Sequence, residues 1–331
     1  MVSSAAPMLI AVPSLLRKTL ALLIFTLPIL DVAAAAKPAA KTPEGAEFQV
    51  LPLIRSRQNH LLVRALVNGQ EAWLTVDSGS PISAISISRR EHYHLTGIAL
   101  NSDLPARVQV NEGFGNMAVA RSFRLGALTL LDEPLVMLNL KSPSPTSRLL
   151  NDEPVDGILG TDILLPLEAV LDCRAQTLIL KMNPGHPGQA PGVDYRGYNS
   201  VKLQVSAGSN LYVNGSINGI PAKLMIDTGA PVTILHHAFV QQIHVATRRT
   251  RIVSTAINLK DQGVRVATIQ KFSLGSIRIR GGMVGVSDLG GLIHSPLMNG
   301  SPPFAGLLGG EILDRDHGII DFGTHTLYMQ K

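Results

Sequence analysis

Two tripeptides in the sequence could do acid–base chemistry: Asp77-Ser78-Gly79 and Asp227-Thr228-Gly229. Each follows a short apolar run, Leu74-Thr75-Val76 in the first case and Leu224-Met225-Ile226 in the second. An acid placed directly after a buried strand is costly unless its carboxylate is hydrogen-bonded. The residues that follow supply what is needed. Glycine permits a tight turn whose amides can face the carboxylate. The hydroxyls of Ser78 and Thr228 can bridge from one turn to the other. Ser80 follows the first glycine and Ala230 the second. A Ser80 hydroxyl donating to Asp77 would favour its ionised form, which makes Asp77 the expected base and Asp227 the expected acid.

One such tripeptide alone reads as an ordinary β-turn. Here the two sit at corresponding positions of an internal repeat, and that changes the reading. VNGQEAWLTVDSGSPISAI at 67–85 aligns with INGIPAKLMIDTGAPVTIL at 217–235, a shift of 150. Phe123-Arg124-Leu125-Gly126 aligns with Phe272-Ser273-Leu274-Gly275, a shift of 149. GILGTDILLPLEAVLDCRAQTL at 157–178 aligns with GLLGGEILDRDHGIIDFGTHTL at 306–327, again by 149. Each acidic turn is therefore followed, later in its unit, by Gly-apolar-apolar-Gly: Gly157 to Gly160 and Gly306 to Gly309.

The elements that must position these turns read as β-strands. Runs such as 82–87 and 272–279 alternate apolar and polar residues with a period of two. Short helices are expected after the Gly-rich turns, at 161–167 and 311–316. The first repeat is expected at 48–182 and the second at 198–331. The Pro/Gly-rich segment 183–197 reads as a linker and 37–47 as a flexible leader. Ser142 to Pro154 and Ser295 to Pro303 read as surface loops.

These motifs resemble the pepsin/retropepsin superfamily of aspartic proteases, whose signature is apolar-apolar-Asp-Thr/Ser-Gly with a later apolar-apolar-Gly. Here the later motif is Ile158-Leu159-Gly160 and Leu307-Leu308-Gly309. The short units are most similar to bacterial retropepsin-like domains in tandem. The resemblance implies a mostly β fold of two closed acid-protease-like barrel lobes with a cleft between them. It implies Asp77 and Asp227 as the catalytic pair, and Ser78, Gly79, Ser80, Thr228, Gly229 and Ala230 as the support of the two turns. It further implies peptide-bond hydrolysis by a water held between carboxyls that share a proton, without metal or cofactor. Both Asp lie in one chain, so the resemblance implies an active monomer. By position, Gly113, Phe114 and Gly115 would form the tip of a flap over a peptide or polypeptide substrate. The plain alternative for that segment is a Gly-containing hairpin turn. A non-catalytic peptide-binding module on the same scaffold is the alternative for the whole chain.

Composition excludes other classes. The 331 residues are 45% hydrophobic and 16% charged, as in a folded globular protein. The net charge is +5, and apart from Arg248-Arg249-Thr250-Arg251 the basic residues are scattered, so no nucleic-acid partner is expected. There is no Gly-x-Ser-x-Gly, His-Glu-x-x-His or phosphate-binding Gly-x-x-x-x-Gly-Lys motif. His92/His94 and His236/His237 lack partners at metal-ligand spacing. The lone Cys173 lies in an apolar run and reads as a buried small residue. Arg17-Lys18, the apolar stretch 19–30 and the alanines at 33–36 have the order of a secretory signal peptide, expected to span 1–36. Pro28 and Asp31 interrupt the stretch, so no stable membrane span is expected after cleavage, with an uncleaved anchor as the alternative. The expected location is outside the cytoplasm, in the periplasm for a double-membraned bacterium.

Overall fold

The computed structural model describes residues 47–98, 117–140, 155–183, 185, 190–206, 208–253, 263–290 and 302–330, without the side chains of 251–253. The expected signal segment 1–36, nearly all of the leader and the flap tip with Gly113, Phe114 and Gly115 lie outside the described residues. The first repeat supplies β1 (Phe48–Pro52), β2 (Ile54–Arg55), β3 (Leu61–Val67), β4 (Gln70–Val76), β5 (Ala84–Ser86), β6 (Thr96–Ile98), β7 (Met117–Leu125), β8 (Leu128–Leu138), β9 (Gly157–Leu159), α1 (Thr161–Leu164), β10 (Val170–Asp172) and β11 (Thr177–Lys181). The second supplies β12 (Tyr198–Lys202), β13 (Gln204–Val205), β14 (Leu211–Ile217), β15 (Ile220–Ile226), β16 (Ile234–His236), α2 (His237–Gln242), β17 (Thr247–Val253), β18 (Gly263–Leu274), β19 (Ile277–Ser287), β20 (Phe304–Leu308), α3 (Gly310–Arg315), β21 (Ile319–Asp321) and β22 (Thr326–Gln330).

The fold is mostly β. In the first lobe the order β3-β4-β9-β5-β8-β7 closes on itself, because β7 also pairs with β3 at Leu66↔Arg124 and Val67↔Phe123. In the second lobe β14-β15-β20-β16-β19-β18 closes through β14 and β18, for instance at Ile217↔Phe272. Each lobe is thus a six-strand barrel, and closure leaves no free edge within the ring. Alternation along the strands puts Leu74, Val76, Leu224 and Ile226 fully inside.

Asn-Gly at the head of each repeat explains the first hairpin of each barrel. Asn68 and Gly69 have φ of 50° and 84°, and Asn218 and Gly219 have 51° and 87°. Two consecutive positive φ values make the type I′ turn that suits a two-residue hairpin. The asparagine side chains then tie the hairpin to the next strand, with Ser122 N–H donating to Asn68 Oδ1 at 3.0 Å and Lys271 N–H to Asn218 Oδ1 at 3.1 Å.

The alternating run 272–279 is not one strand but a hairpin: β18 ends at Leu274, Gly275 turns with φ 54°, and β19 begins at Ile277. The period of two survives the turn because Leu274 and Ile277 are paired and so share a face. The strand expected over 82–87 narrows to Ala84–Ser86, and the helix expected over 161–167 closes as α-helix at Leu164.

A third sheet, β1-β11-β10-β21-β22-β12, takes three strands from each repeat. Its centre is the antiparallel pair β10–β21, in register Val170↔Asp321, Leu171↔Ile320 and Asp172↔Ile319. Leu171 and Ile320 are equivalent residues of the repeat, so a local two-fold axis passes between them. One face of this sheet buries Leu171, Leu178, Ile320 and Leu327 in the main core. The other carries Val170, Ile179 and Ile319, and the Pro/Gly-rich connection lays Ala190, Val193 and Tyr195 against it. Among the described residues no helix is long and apolar enough to cross a membrane.

Leu171 and Ile320 are both 0% exposed. Truncating either to alanine should lower unfolding free energy by about 2–5 kcal/mol, read from denaturant midpoints at unchanged slope.

Candidate active site

Each acidic turn is anchored by a strand arriving from the far end of its own repeat. β4 pairs in parallel with β9, and β15 with β20. The ladder continues one residue further, where Asp77 N–H donates to Leu159 C=O and Asp227 N–H to Leu308 C=O, both at 3.0 Å. The Gly-apolar-apolar-Gly motif owes its glycines to close packing. A Cβ on Gly157 would lie 2.2 Å from Ala84 O, and one on Gly306 would lie 2.2 Å from Ile234 O. The closing glycines donate N–H bonds to hydroxyls on the outgoing side of the turn, Gly160 to Ser83 and Gly309 to Thr233, each at 3.0 Å. Those residues are held in turn by acids of the following helix, Ser83 by Asp162 and Thr233 by Glu311. Sequence reasoning passed over these four residues, although each pair falls at equivalent repeat positions.

The two turns meet, and their hydroxyls cross between them. Ser78 N–H donates to Thr228 Oγ1 at 2.9 Å, and Thr228 N–H to Ser78 Oγ at 3.1 Å. Ser78 Oγ–H donates to Ile226 C=O at 2.9 Å, and Thr228 Oγ1–H to Val76 C=O at 2.7 Å. Each hydroxyl thus accepts from one backbone amide and donates to one carbonyl of the other lobe. Both residues are buried, at 0% and 2% exposure, so nothing else can satisfy these groups.

This bracing brings the carboxyls face to face. A Cβ on Gly79 would sit 2.6 Å from Asp227 Cγ, and one on Gly229 would sit 2.3 Å from Asp77 Oδ2. Each glycine is therefore the surface on which the opposing carboxyl rests. Gly79 N–H donates to Asp77 Oδ1 at 2.8 Å and Ala230 N–H to Asp227 Oδ1 at 2.9 Å. Burial pushes both carboxyls up from the ordinary carboxylate range. The negative charge of Asp77 pushes Asp227 further still. Amides of Gly79, Ser80 and Gly229, with a hydrogen bond from Asp227, pull Asp77 back down. The pair is thus two raised, interacting carboxyls, with Asp227 pushed up the further.

Ser80 does not supply this bias through its hydroxyl. Its Oγ–H donates to Ile82 C=O at 2.7 Å instead, and its amide donates to the Asp77 backbone carbonyl at 3.3 Å while helping to lower the Asp77 carboxyl. The other expected support residues sit in the two turns as described. His236 ends β16 and accepts the Leu289 amide on Nδ1 at 3.1 Å. Burial pushes the Cys173 thiol up to about 12, which leaves it unreactive. Among the described residues no three metal-binding side chains cluster.

The sequence model of the aspartyl protease family matches residues 63–163 and again 213–312, together more than half of the chain. The chain belongs to the aspartyl protease family. Each match holds one acidic turn and one Gly-apolar-apolar-Gly motif, so this is a pepsin/retropepsin-like protein with its two lobes in tandem. Among solved structures it is similar to the aspartic proteinase from Irpex lacteus, at 15% identity and a TM-score of 0.47, over 86% of this chain and 97% of that one. A comparison with curated proteins finds no match.

Thr228→Val keeps the shape of this aspartyl protease turn but strands the Ser78 amide and the Val76 carbonyl. It should lower stability by about 1–3 kcal/mol for each stranded group, whereas Thr228→Ser should stay near wild type in chemical denaturation. The raised carboxyls also set a pH trend. A carboxyl raised on folding contributes stability below its unfolded value near 3.8, and that contribution is lost as pH rises through the folded value. Asp227→Asn should therefore melt at a higher temperature than wild type at pH 7, with the gap closing as pH falls towards 4.

Proposed function

We propose that the protein is an exported aspartic endopeptidase that hydrolyses peptide bonds in peptides or polypeptides. The observation that carries this reading is the facing pair of half-buried Asp77 and buried Asp227, one carboxyl from each lobe, each against the glycine of the opposite turn and each raised from the ordinary carboxylate range. Two adjacent carboxylates cannot both ionise cheaply, so such a pair is ready for acid and base duty at once.

In the proposed reaction ionised Asp77 takes a proton from a water lying between the carboxyls. The water oxygen attacks the peptide carbonyl carbon while Asp227 gives its proton to the carbonyl oxygen. The result is a neutral tetrahedral diol, and the pair now has its proton on Asp77. Collapse returns a diol hydroxyl proton to Asp227, breaks the C–N bond and passes the Asp77 proton to the leaving nitrogen. The starting protonation state is restored. The residues form no covalent intermediate, and their role is that of a fixed proton relay. The glycines at 79 and 229 leave room for the carboxyls to face one another, and the crossed hydroxyls hold the turns while charge moves.

The apolar, small-residue order at 1–36 supports export, and the presence of both acids in one chain supports action as a monomer.

Residues 37–331, which form one compact unit, should cleave members of a diverse peptide library with a bell-shaped dependence on pH between 3 and 8. Asp77→Asn and Asp227→Asn should each lower kcat/KM by about 100- to 10,000-fold. A statine inhibitor, which mimics the tetrahedral diol, should block the wild type. Folded protein that cleaves nothing at any pH overturns the proposal in favour of a cleft that only binds.

A further inference from the structure

The turns that lead into β3 and β14 repeat one another. Ser56 Oγ accepts the His60 amide and Ser206 Oγ accepts the Asn210 amide, both at 3.1 Å. The backbone closes both turns alike, with Ser56 N–H donating to His60 C=O and Ser206 N–H to Asn210 C=O. Each turn then sends an asparagine side chain to the acidic turn of the opposite lobe. Asn59 Nδ2–H donates to Pro231 C=O at 2.8 Å, and Asn210 Nδ2–H donates to Gly79 C=O at 3.2 Å.

These two asparagines are not equivalent residues. The repeat partner of Asn59 is Ser209 and that of Asn210 is His60. Copying one unit would not place an amide at both crossings, so each crossing is built separately. Behind Asn59 stands a charged brace. Arg55 Nη1 donates to Asn59 Oδ1 at 2.6 Å, and the same guanidinium meets the Cys173 carbonyl and pairs with Asp314 at 3.2 Å.

The acceptors differ as well. Gly79 C=O belongs to the peptide whose N–H is that of Ser80; that N–H donates to the Asp77 backbone carbonyl at 3.3 Å and also lowers the Asp77 carboxyl, less than the Gly79 amide does. A donor on the carbonyl end of a peptide strengthens the hydrogen bond made by its N–H end. Pro231 C=O belongs to the peptide carrying the Val232 N–H, whereas the amides acting on Asp227 are those of Ala230 and Gly229.

We infer that Asn59 and Asn210 are positioning residues: each is a strut from one lobe to the acidic turn of the other, and Asn210 also acts on Asp77 through the Gly79–Ser80 peptide. The inference rests on the proposed catalytic role of the pair. The charged and titratable groups about these struts are Asp77 and Asp227 themselves, with Arg55, Asp314, His60 and, through its 3.4 Å pairing to Asp314, Arg174 on the Asn59 side. Asn210 itself meets Ser206 and Gly79.

The test uses the full chain labelled with 13C at the aspartate carboxyls, with Asp77→Asn and Asp227→Asn to assign the pair. In Asn210→Ala the lower of the two titration midpoints should rise by about half a pH unit or more. In Asn59→Ala both midpoints should stay within about 0.2 units of wild type. Both variants should lose about 5- to 100-fold in kcat, with KM within about twofold. Asn210→Ser, which retains a shorter donor, should fall between wild type and alanine, and it stands in if the alanine variant does not fold. Folded Asn210 variants with wild-type midpoints and wild-type kcat overturn the inference, as does a loss confined to melting temperature. Wild type that cleaves no peptide defeats the proposed activity, while the carboxyl titration still decides whether Asn210 reaches Asp77.

Discussion

The crossed hydrogen bonds of Ser78 and Thr228, two between these residues and two to the carbonyls of Ile226 and Val76, are the interaction on which the rest depends. They join two closed barrels at a point where both residues are buried, so the groups must satisfy one another. Everything about the acids follows from them. With the turns locked, each glycine is pressed against the opposing carboxyl, so the two charges cannot relax apart. Burial then raises both carboxyls, and the charge of Asp77 raises Asp227 further. A hydroxyl is the side-chain group that can accept an amide and donate to a carbonyl at once in this space, which is why Ser and Thr both serve and neither an amide nor an aliphatic group would.

The architecture is two-fold symmetric, yet the proposed hydrolysis needs two unlike acids. The backbone supplies most of the symmetry: equivalent strands, equivalent Asp amides bonded to Leu159 and Leu308, equivalent glycines. The difference enters through few atoms. Gly79 and Ser80 present amides to Asp77, while Ala230 presents its own to Asp227 and the charge of Asp77 does the rest. A tandem chain can hold such a difference permanently, because each half carries its own residues at equivalent positions.

Much of this was legible in the sequence because the repeat doubles each signal. Barrel strands, Asn-Gly hairpins, acidic turns and Gly-apolar-apolar-Gly all occur twice at one spacing, and the family and the mostly β fold follow from them. What escaped has a common physical character. The Ser80 hydroxyl satisfies a carbonyl two residues away, a short-range competition that residue type does not resolve. Asn59 and Asn210 act across the lobes from non-equivalent positions, so a search for matched residues passes over both. The run 272–279 conceals a hairpin because paired residues at its turn keep the alternation going. The connection at 183–197 reads as spacer by its Pro and Gly content, yet Val193 and Tyr195 find apolar partners on the shared sheet.

The shared sheet carries a consequence for the order in which the molecule becomes whole. β12 is held by β22, and β10 by β21, so the seam between the lobes draws on strands near residue 330. Contacts between residues so distant in sequence form late, after the loops they close. The second acidic turn likewise waits for Leu308, and the first has no partner hydroxyl until Thr228 is in place. A chain emerging from its N-terminus therefore carries Asp77 for most of its synthesis as an isolated acid on an unfinished barrel. The two acids are brought together only when the last strands dock, so completion of the fold is itself the step that assembles the site.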